Sequence, residues 1–299
     1  MKKVFLFILV SLALHAQETS PTFKVDVRLV NVFVTVTDAN GAPVGGLTRD
    51  DFKVMEDGNL ENIAVFNRES ELPLSIVVAV DTSLSTKRDL RLELVSAREF
   101  VHSILRPVDA VSLFQFSEDV DQLTPFTHDV KRLDRAIDDI RVGSATAMYD
   151  AIYLGTRALL DRQGRKVMVV ITDGGDTVSK LSYQEALRAA QEAEAIVYSI
   201  IVVPVASDAG RDVGGEHALI QISHDTGGKY FYAESASALQ RAFQRISDEL
   251  RTQYLIAYYP SRKLADSDFR RIQIDVKGAG EDGPLHARYR TGYFTTKPR

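Results

Sequence analysis

Between Leu74 and Val80 the chain carries no charged residue, and the run Ser75–Ile76–Val77–Val78–Ala79–Val80 ends directly on Asp81. A strand this uniformly apolar is unstable with one face in water and fits a parallel sheet covered on both faces. The next stretches alternate in kind. Helical periodicity spans Lys87 to Leu105, Val130 to Ile140, Ala147 to Leu160, Tyr183 to Ala193, Gly215 to Ser223 and Leu239 to Arg251. Between these lie strand-like runs at Ala110–Phe116, Lys166–Thr172, Ile196–Val203 and Lys229–Tyr232. Strands separated by helices imply βαβ units and a doubly wound, mostly parallel α/β sheet over residues 71–253. The pair Gly227–Gly228 marks the end of the helix before the last of these strands.

The flanks read differently. Lys24–Val30 and Val32–Thr37 are alternating or β-branched, and Asp38–Ala39–Asn40–Gly41 is a turn signal. Lys53–Glu56, the two-residue turn Asp57–Gly58 and a returning strand at Ile63–Phe66 predict a hairpin. After the last helix come Tyr254–Tyr259, the cleanly alternating Phe269–Val276, and a closing strand Ala287–Phe294. Neither flank, residues 17–70 or 254–299, has enough apolar surface to bury a core alone. They are therefore expected to pair into one β-sandwich with the α/β domain inserted between them.

Composition narrows the function. Cysteine is absent, so disulfides, thiolate chemistry and Cys-ligated metals are excluded. The basic pair Lys2–Lys3, the apolar run Val4–Leu14 and Ala16 have the layout of a secretory signal peptide over residues 1–16. An exported protein, periplasmic or secreted, is the expectation. The apolar run is about half of the ~20 residues that span a bilayer, so no stable membrane anchor is expected. Losing Lys2 and Lys3 takes the net charge from −5 to −7. That sign argues against nucleic acid and anionic lipid as partners. The small clusters Arg262–Lys263 and Arg270–Arg271 read as solvated strand edges.

The chemistry concentrates where strands end. In an open α/β sheet, ligands bind at the carboxyl ends of the strands. Asp81–Thr82–Ser83–Leu84–Ser85 follows the buried strand and offers one carboxylate and two alternating hydroxyls. Gly143–Ser144–Ala145–Thr146–Ala147 brings a further hydroxyl to the head of a helix. Thr172–Asp173–Gly174–Gly175–Asp176 ends another strand with a carboxylate, and its glycines allow close backbone approach. Taken singly, the first segment could be a helix N-cap and the last a plain turn.

Together these segments resemble the metal-ion-dependent adhesion site of von Willebrand factor type A domains, which have a Rossmann-like sheet. The resemblance covers residues 74 to about 253, with Asp81, Ser83, Ser85, Thr146 and Asp173 on the five ligand positions. The β flanks and the terminal Arg290–Thr291–Gly292–Tyr293–Phe294 further resemble an exported bacterial subfamily of acidobacterial type, to which no activity is firmly assigned. The family site implies one hard divalent cation. Mg²⁺ suits an all-oxygen set, wanting six oxygens at ~2.0–2.1 Å, while Mn²⁺ also fits and Ca²⁺ fits less well. It also implies a non-catalytic module whose cation accepts a Glu or Asp of a protein partner. In related domains the last helix, here Leu239 to Arg251, moves with the metal-site geometry.

Two other functions stay open. The cation could serve only to stabilise the fold of a structural or assembly protein. Alternatively it could activate water in a hydrolase, for which Asp176 is the one nearby candidate base. The scattered histidines, including His217 and His224, and the tyrosines Tyr254, Tyr258 and Tyr259 read as packing or surface residues. No phosphate loop is present.

Overall fold

The computed structural model describes residues 29–68, 71–84, 86, 90–203, 213–262, 269–280 and 283–295. The signal segment 1–16, the strand expected from Lys24 up to Arg28, Ser85 and Lys263 lie outside the described residues.

The inserted domain contains β5 (Leu74–Asp81), α1 (Leu90–Ile104), β6 (Ala110–Phe116), β7 (Val120–Thr127), α2 (Val130–Asp138) and α3 (Met148–Leu159). It continues through β8 (Arg165–Thr172), α4 (Tyr183–Glu192), β9 (Ile196–Val202), α5 (Val213–Asp225), β10 (Tyr230–Ala233) and α6 (Ala236–Thr252). Its six strands order as β10-β9-β8-β5-β6-β7, all parallel except β7.

β5 sits inside this sheet, and all eight of its residues are buried. Side chains alternate across a strand, so the apolar run serves two cores. Ile76, Val78 and Val80 pack with α1, α2 and α6, whereas Val77 and Ala79 pack with α3, α4 and α5. The continuous apolar run thus has a single cause: both faces of the strand are covered.

The chain ends supply the second layer pair. N-terminal elements are β1 (Val30–Thr37), a single 3-10 turn at Arg49–Asp51, β2 (Phe52–Glu56), β3 (Asn59–Glu61) and β4 (Ile63–Asn67). C-terminal elements are β11 (Tyr254–Tyr258), β12 (Phe269–Val276), β13 (Ala279–Gly280), β14 (Gly283–Pro284), β15 (His286–Arg288) and β16 (Gly292–Phe294). One sheet orders β15-β1-β11-β4 and the other β16-β12-β2-β3. Each mixes both ends of the chain, as the expected sandwich requires. Their shared core holds Val32 and Val34 from β1, Val54 from β2, Ile256 from β11 and Ile272 and Ile274 from β12.

Four details differ from the sequence reading. The turn Asp57–Gly58 forms with both residues at positive φ, 48° and 82°, but the strand it returns is β3. Ile63–Phe66 belongs to β4, which crosses to the other sheet and pairs with β11. There Phe66 stacks beside Phe52 and Tyr254 at 5.5 and 5.8 Å, an aromatic contact that hairpin continuation would forgo. The stretch Ala287–Phe294 is two short strands rather than one. It breaks where Thr291 N–H donates to Asp225 O at 3.0 Å, and the chain then changes sheets at Gly292. A Cβ at Gly292 would stand 2.3 Å from Arg270 O, so the crossing demands glycine.

The third difference is β7. Its sequence, VDQLTPFT, is polar and contains a proline, which suits an edge strand paired on one side only. The fourth is Arg270, which is 2% exposed instead of solvated. Along β12 it shares the inward face with Ile272 and Ile274, and its charge meets Glu56 Oε1 and Asp57 Oδ2, each at 3.5 Å. Arg262, by contrast, is half exposed and pairs with Asp57 at 2.8 Å.

The sandwich docks on the end of the sheet where β8 and β9 begin. Arg290 reaches Asn31 O at 2.7 Å and Glu194 Oε1 at 3.4 Å, and Arg288 pairs with the buried Glu249 of α6. Gly227 and Gly228 close α5 as expected, with their N–H groups returning to His224 O and Ser223 O. A Cβ at Gly228 would stand 1.9 Å from Val197 O, so Gly228→Ala forces backbone apart. We expect a loss of about 2–4 kcal/mol, typical of severe steric strain in a packed region and read by urea unfolding. A change below ~0.5 kcal/mol would show that the close approach is not needed. Among the described residues no helix is long and apolar enough to cross a membrane.

Candidate functional site

β5 and β8 run side by side in parallel register, with Val80 opposite Ile171, so Asp81 and Thr172 end them together. Thr172 donates its hydroxyl to Asp81 Oδ2 at 2.6 Å, and Ser83 N–H donates to Oδ1 at 2.9 Å. Asp81 and Thr82 are fully buried and Ser83 is 2% exposed. The turn behind them is locked by Thr86, whose hydroxyl lies 3.1 Å from Asp81 O and 3.0 Å from Ser83 O. Next door, Thr82 N–H donates to Phe116 O at the end of β6.

The second segment is sewn to the first. Gly143 N–H donates to Thr82 O at 2.8 Å, and Ala147 N–H to Ser117 O at 2.6 Å. Glu118 gathers the loop by accepting from Ser144 N–H at 2.7 Å. That bond is the main reason its carboxyl, although on the surface, is pulled down to about 2. A Cβ at Gly143 would stand 2.2 Å from Ser117 Oγ, so this junction is closed to larger residues.

The third segment is tied to the second. Thr177 N–H donates to Thr146 O at 2.8 Å, and Thr146 N–H donates to Thr177 Oγ1 at 2.9 Å. Asp176 accepts from Met148 N–H at 2.8 Å at the head of α3, which suits a carboxylate at a helix N-terminus. It also accepts from the Ser179 hydroxyl. Asp150 in turn accepts from Leu181 N–H at 2.9 Å. The candidate base of a hydrolase is therefore engaged as a helix cap.

Four of the five expected ligands are thus brought to one sheet edge. Asp81, Ser83, Thr146 and Asp173 stand on three interlocked segments, and Ser85 lies outside the described residues. Thr146 is 4% exposed, and its hydroxyl makes no hydrogen bond among the described residues. Asp173 is half-buried and engaged only weakly, by Gly175 N–H at 3.5 Å. Among the described residues no three His, Asp or Glu side chains cluster as a metal cage. The set is two carboxylates plus hydroxyls, a hard oxygen collection suited to a cation that keeps part of its water.

Several supporting residues escaped the sequence reading. Thr172 passed as the last residue of a strand, although its place in Thr-Asp-Gly could have flagged it. Glu118 and Thr177 carry no local signal, since their partners are backbone groups distant in sequence. Glu216 of α5 is similar: it is 7% exposed, lies against Gly174 and accepts from the Tyr232 hydroxyl at 3.1 Å. Gly174 has φ +95°, and a Cβ there would stand 3.1 Å from Glu216 Cγ.

Burial raises the Asp81 carboxyl to about 6, against hydrogen bonds from Thr172 and Ser83 that lower it, and nearby Asp173 adds to the rise. A carboxyl that ionises less readily folded than unfolded holds its proton longer in the folded state. With chelator present, stability should therefore fall as pH rises from about 4 to about 6, by about 2–3 kcal/mol. The difference in urea-unfolding free energy between the protein and Asp81→Asn, taken from pH 4 to 7 in EDTA, isolates this contribution. A difference that stays flat across the window removes the claim.

Comparison with known proteins adds to this geometry. A family model described as von Willebrand factor type A domain matches residues 75–245. No curated protein matches the chain. Among solved structures, a von Willebrand factor type A protein from Catenulispora acidiphila aligns with TM-score 0.52 at 11% identity, over 92% of this chain and 76% of that one. The open conformation of the pilus adhesin SpaC from Lactobacillus rhamnosus GG aligns with TM-score 0.51 at 12% identity, over 86% of this chain and 43% of that one. The conserved hypothetical protein BatB from Bacteroides thetaiotaomicron has 23% identity and TM-score 0.46, over 60% of this chain and all of that one. At these identities the likenesses to the Catenulispora protein and to SpaC speak for the fold alone.

Proposed function

The chain belongs to the von Willebrand factor type A domain family, and from that premise we propose that it is an exported, non-catalytic protein-binding module with a Mg²⁺-dependent contact site. Family membership supports a protein-interaction module. The metal dependence is argued from Asp81, Ser83, Thr146 and Asp173 on interlocked segments at the sheet edge, with Ser85 completing the set. Bound there, a divalent cation supplies an electrophilic coordination position that a Glu or Asp of a partner protein can fill.

The chain's own residues prepare that contact. Thr172 and Ser83 orient the Asp81 carboxylate. Thr177 fixes the backbone of Thr146, whose hydroxyl keeps its lone pairs available. An open coordination position on a hard divalent ion favours a carboxylate oxygen as the partner group. Asp176 spends its Oδ1 on the head of α3 and on the Ser179 hydroxyl, which fits a helix-capping role for this carboxylate. An envelope or extracellular setting agrees with the leader-like first residues and with the adhesin nature of SpaC.

The test is affinity capture from the organism's exported proteins, run with Mg²⁺, with EDTA, and with Asp173→Ala. We expect the specific partner in the first arm and a loss of about ten-fold or more in the other two, as removing a charged contact costs. Equal capture in all three arms refutes a metal-dependent contact. A melting temperature that tracks Mg²⁺ while capture does not would assign the ion to fold stabilisation alone.

A further inference from the structure

At the opposite end of the sheet from Asp81, a pocket of about 370 Å³ opens between the C-terminal ends of α1 and α6. That volume lies within the ~300–1,000 Å³ of small-ligand sites. Leu74, Ile104 and Leu250 give it apolar walls, and three guanidinium groups border it, those of Arg106, Arg165 and Arg251.

The carboxylates beside it leave that charge incompletely met. Asp109 is fully taken: Arg106 Nε reaches Oδ2 at 2.7 Å, while Arg106 Nη2 and Leu74 N–H reach Oδ1 at 2.9 Å each. Glu71 is exposed at the rim. Arg165, only 3% exposed, donates one Nη1 bond to Leu250 O at the end of α6. Its Nε has no hydrogen-bond partner, and among the described residues no carboxylate forms an ion pair with it. Arg251 donates to Ser103 O at 2.9 Å and is likewise without a carboxylate there. Buried charges in folded proteins are normally paired, because an isolated one forfeits its hydration. Burial and the neighbouring positive charge of Arg106 together hold the Arg165 guanidinium down at about 10.

We propose that this pocket binds a small organic anion, a carboxylate on a short apolar body. The carboxylate pairs with Arg165 and Arg251, and the body covers Leu74, Ile104 and Leu250. A purely inorganic anion would leave those apolar walls in water, whereas a neutral ligand would leave the guanidinium charge unmet. The site is independent of the cation site, and it lies where α6 runs into β11.

The probes are hexanoate and benzoate, titrated into the full chain in EDTA at constant ionic strength, with chloride and sulfate as references. Melting temperature and calorimetry report binding. We expect a saturable rise with hexanoate or benzoate at millimolar concentrations, unmatched by sulfate. Arg165→Gln should weaken affinity about ten-fold or more, the usual cost of a lost charge-assisted bond. Because Arg165→Gln removes a bond to the end of α6 and could unfold the domain, two surface variants carry the test as well. Arg251→Gln should weaken binding about three-fold, and Glu71→Gln, which removes a competing negative charge, should tighten it. No saturable response, an equal response to sulfate, or the same affinity in the protein and Arg251→Gln would each overturn the proposal.

Discussion

Asp81→Asn should abolish the response of the protein to Mg²⁺ while making the metal-free protein more stable. The buried carboxylate is costly when nothing neutralises it, as its upward shift to about 6 records. An amide of nearly the same shape keeps the Ser83 N–H contact through its one oxygen and donates from its NH2 to the Thr172 hydroxyl, without the charge. In EDTA at pH 7 the variant should therefore melt above the unaltered protein, by the same ~2–3 kcal/mol that separates the two ionisation states. Adding Mg²⁺ closes that gap. At ~100 times its Kd the ion stabilises the unaltered protein by ~2.7 kcal/mol, and it should leave the variant unmoved. Calorimetry should show one Mg²⁺ bound before the substitution and an affinity at least ~100-fold weaker after it, a loss of ~2.7 kcal/mol. Identical Mg²⁺ titrations for the two proteins would refute the assignment of Asp81 as a ligand.

Arg270→Met should be the most damaging single change in the β-sandwich. Its side chain is 2% exposed and Glu56 beside it 1%, with 3.5 Å between Nη1 and Oε1. Glu56 Oε2 also accepts from the hydroxyls of Tyr258 and Tyr293, each at 2.8 Å. Burial first, and the Glu56 charge with it, pushes both phenols upward, so they remain donors across the working pH range. Removing the arginine strands a carboxylate among tyrosines, and breaking a buried pair from one side costs about 3–5 kcal/mol. The double change Arg270→Met with Glu56→Gln removes both charges and keeps an acceptor for the tyrosines. It should recover most of that loss. Guanidinium unfolding of the three proteins reads both numbers. A single-variant loss under ~1 kcal/mol would mean that the arginine is solvated in solution.

The two predictions concern residues of unequal visibility in the sequence. Asp81 announces itself: it ends an uncharged strand, and hydroxyls alternate after it. The α/β alternation is equally plain, because helices and two-faced strands impose different periods on apolar residues. Arg270 is harder to place, because the charge doublet Arg270–Arg271 suggests solvent. The period-2 rule that places Ile272 and Ile274 inside also places Arg270 inside, and it outranks the doublet. β7 was invisible for the opposite reason, since an edge strand with Pro125 need show no apolar pattern. The divisions at Asn62 and Gly292, where strands change sheets, depend on contacts with distant elements and leave only a lone polar residue or glycine behind. Within the candidate site, the donors could be read off the chain, whereas the residues that lock them, Thr172, Thr177 and Glu118, reveal themselves only through three-dimensional proximity.

Because β1 lies between β11 and β15, and β2 beside β12, the sandwich can be finished only when the tail has been made. The inserted α/β unit meets no such delay, as its strands pair only with one another, the widest span being that of β5 with β8, Leu74 opposite Arg165. During synthesis, the head of the chain must wait with unpaired strand edges while the middle folds. Joining ends so distant in sequence carries a closure penalty that grows only slowly with length, yet it slows the final step. The α/β unit, once folded, shortens that search, since β4 and β11 leave it as adjacent strands and deliver head and tail to the same place. A late, slow phase in refolding, visible by tyrosine fluorescence and absent from an isolated 71–253 fragment, is what this wiring implies.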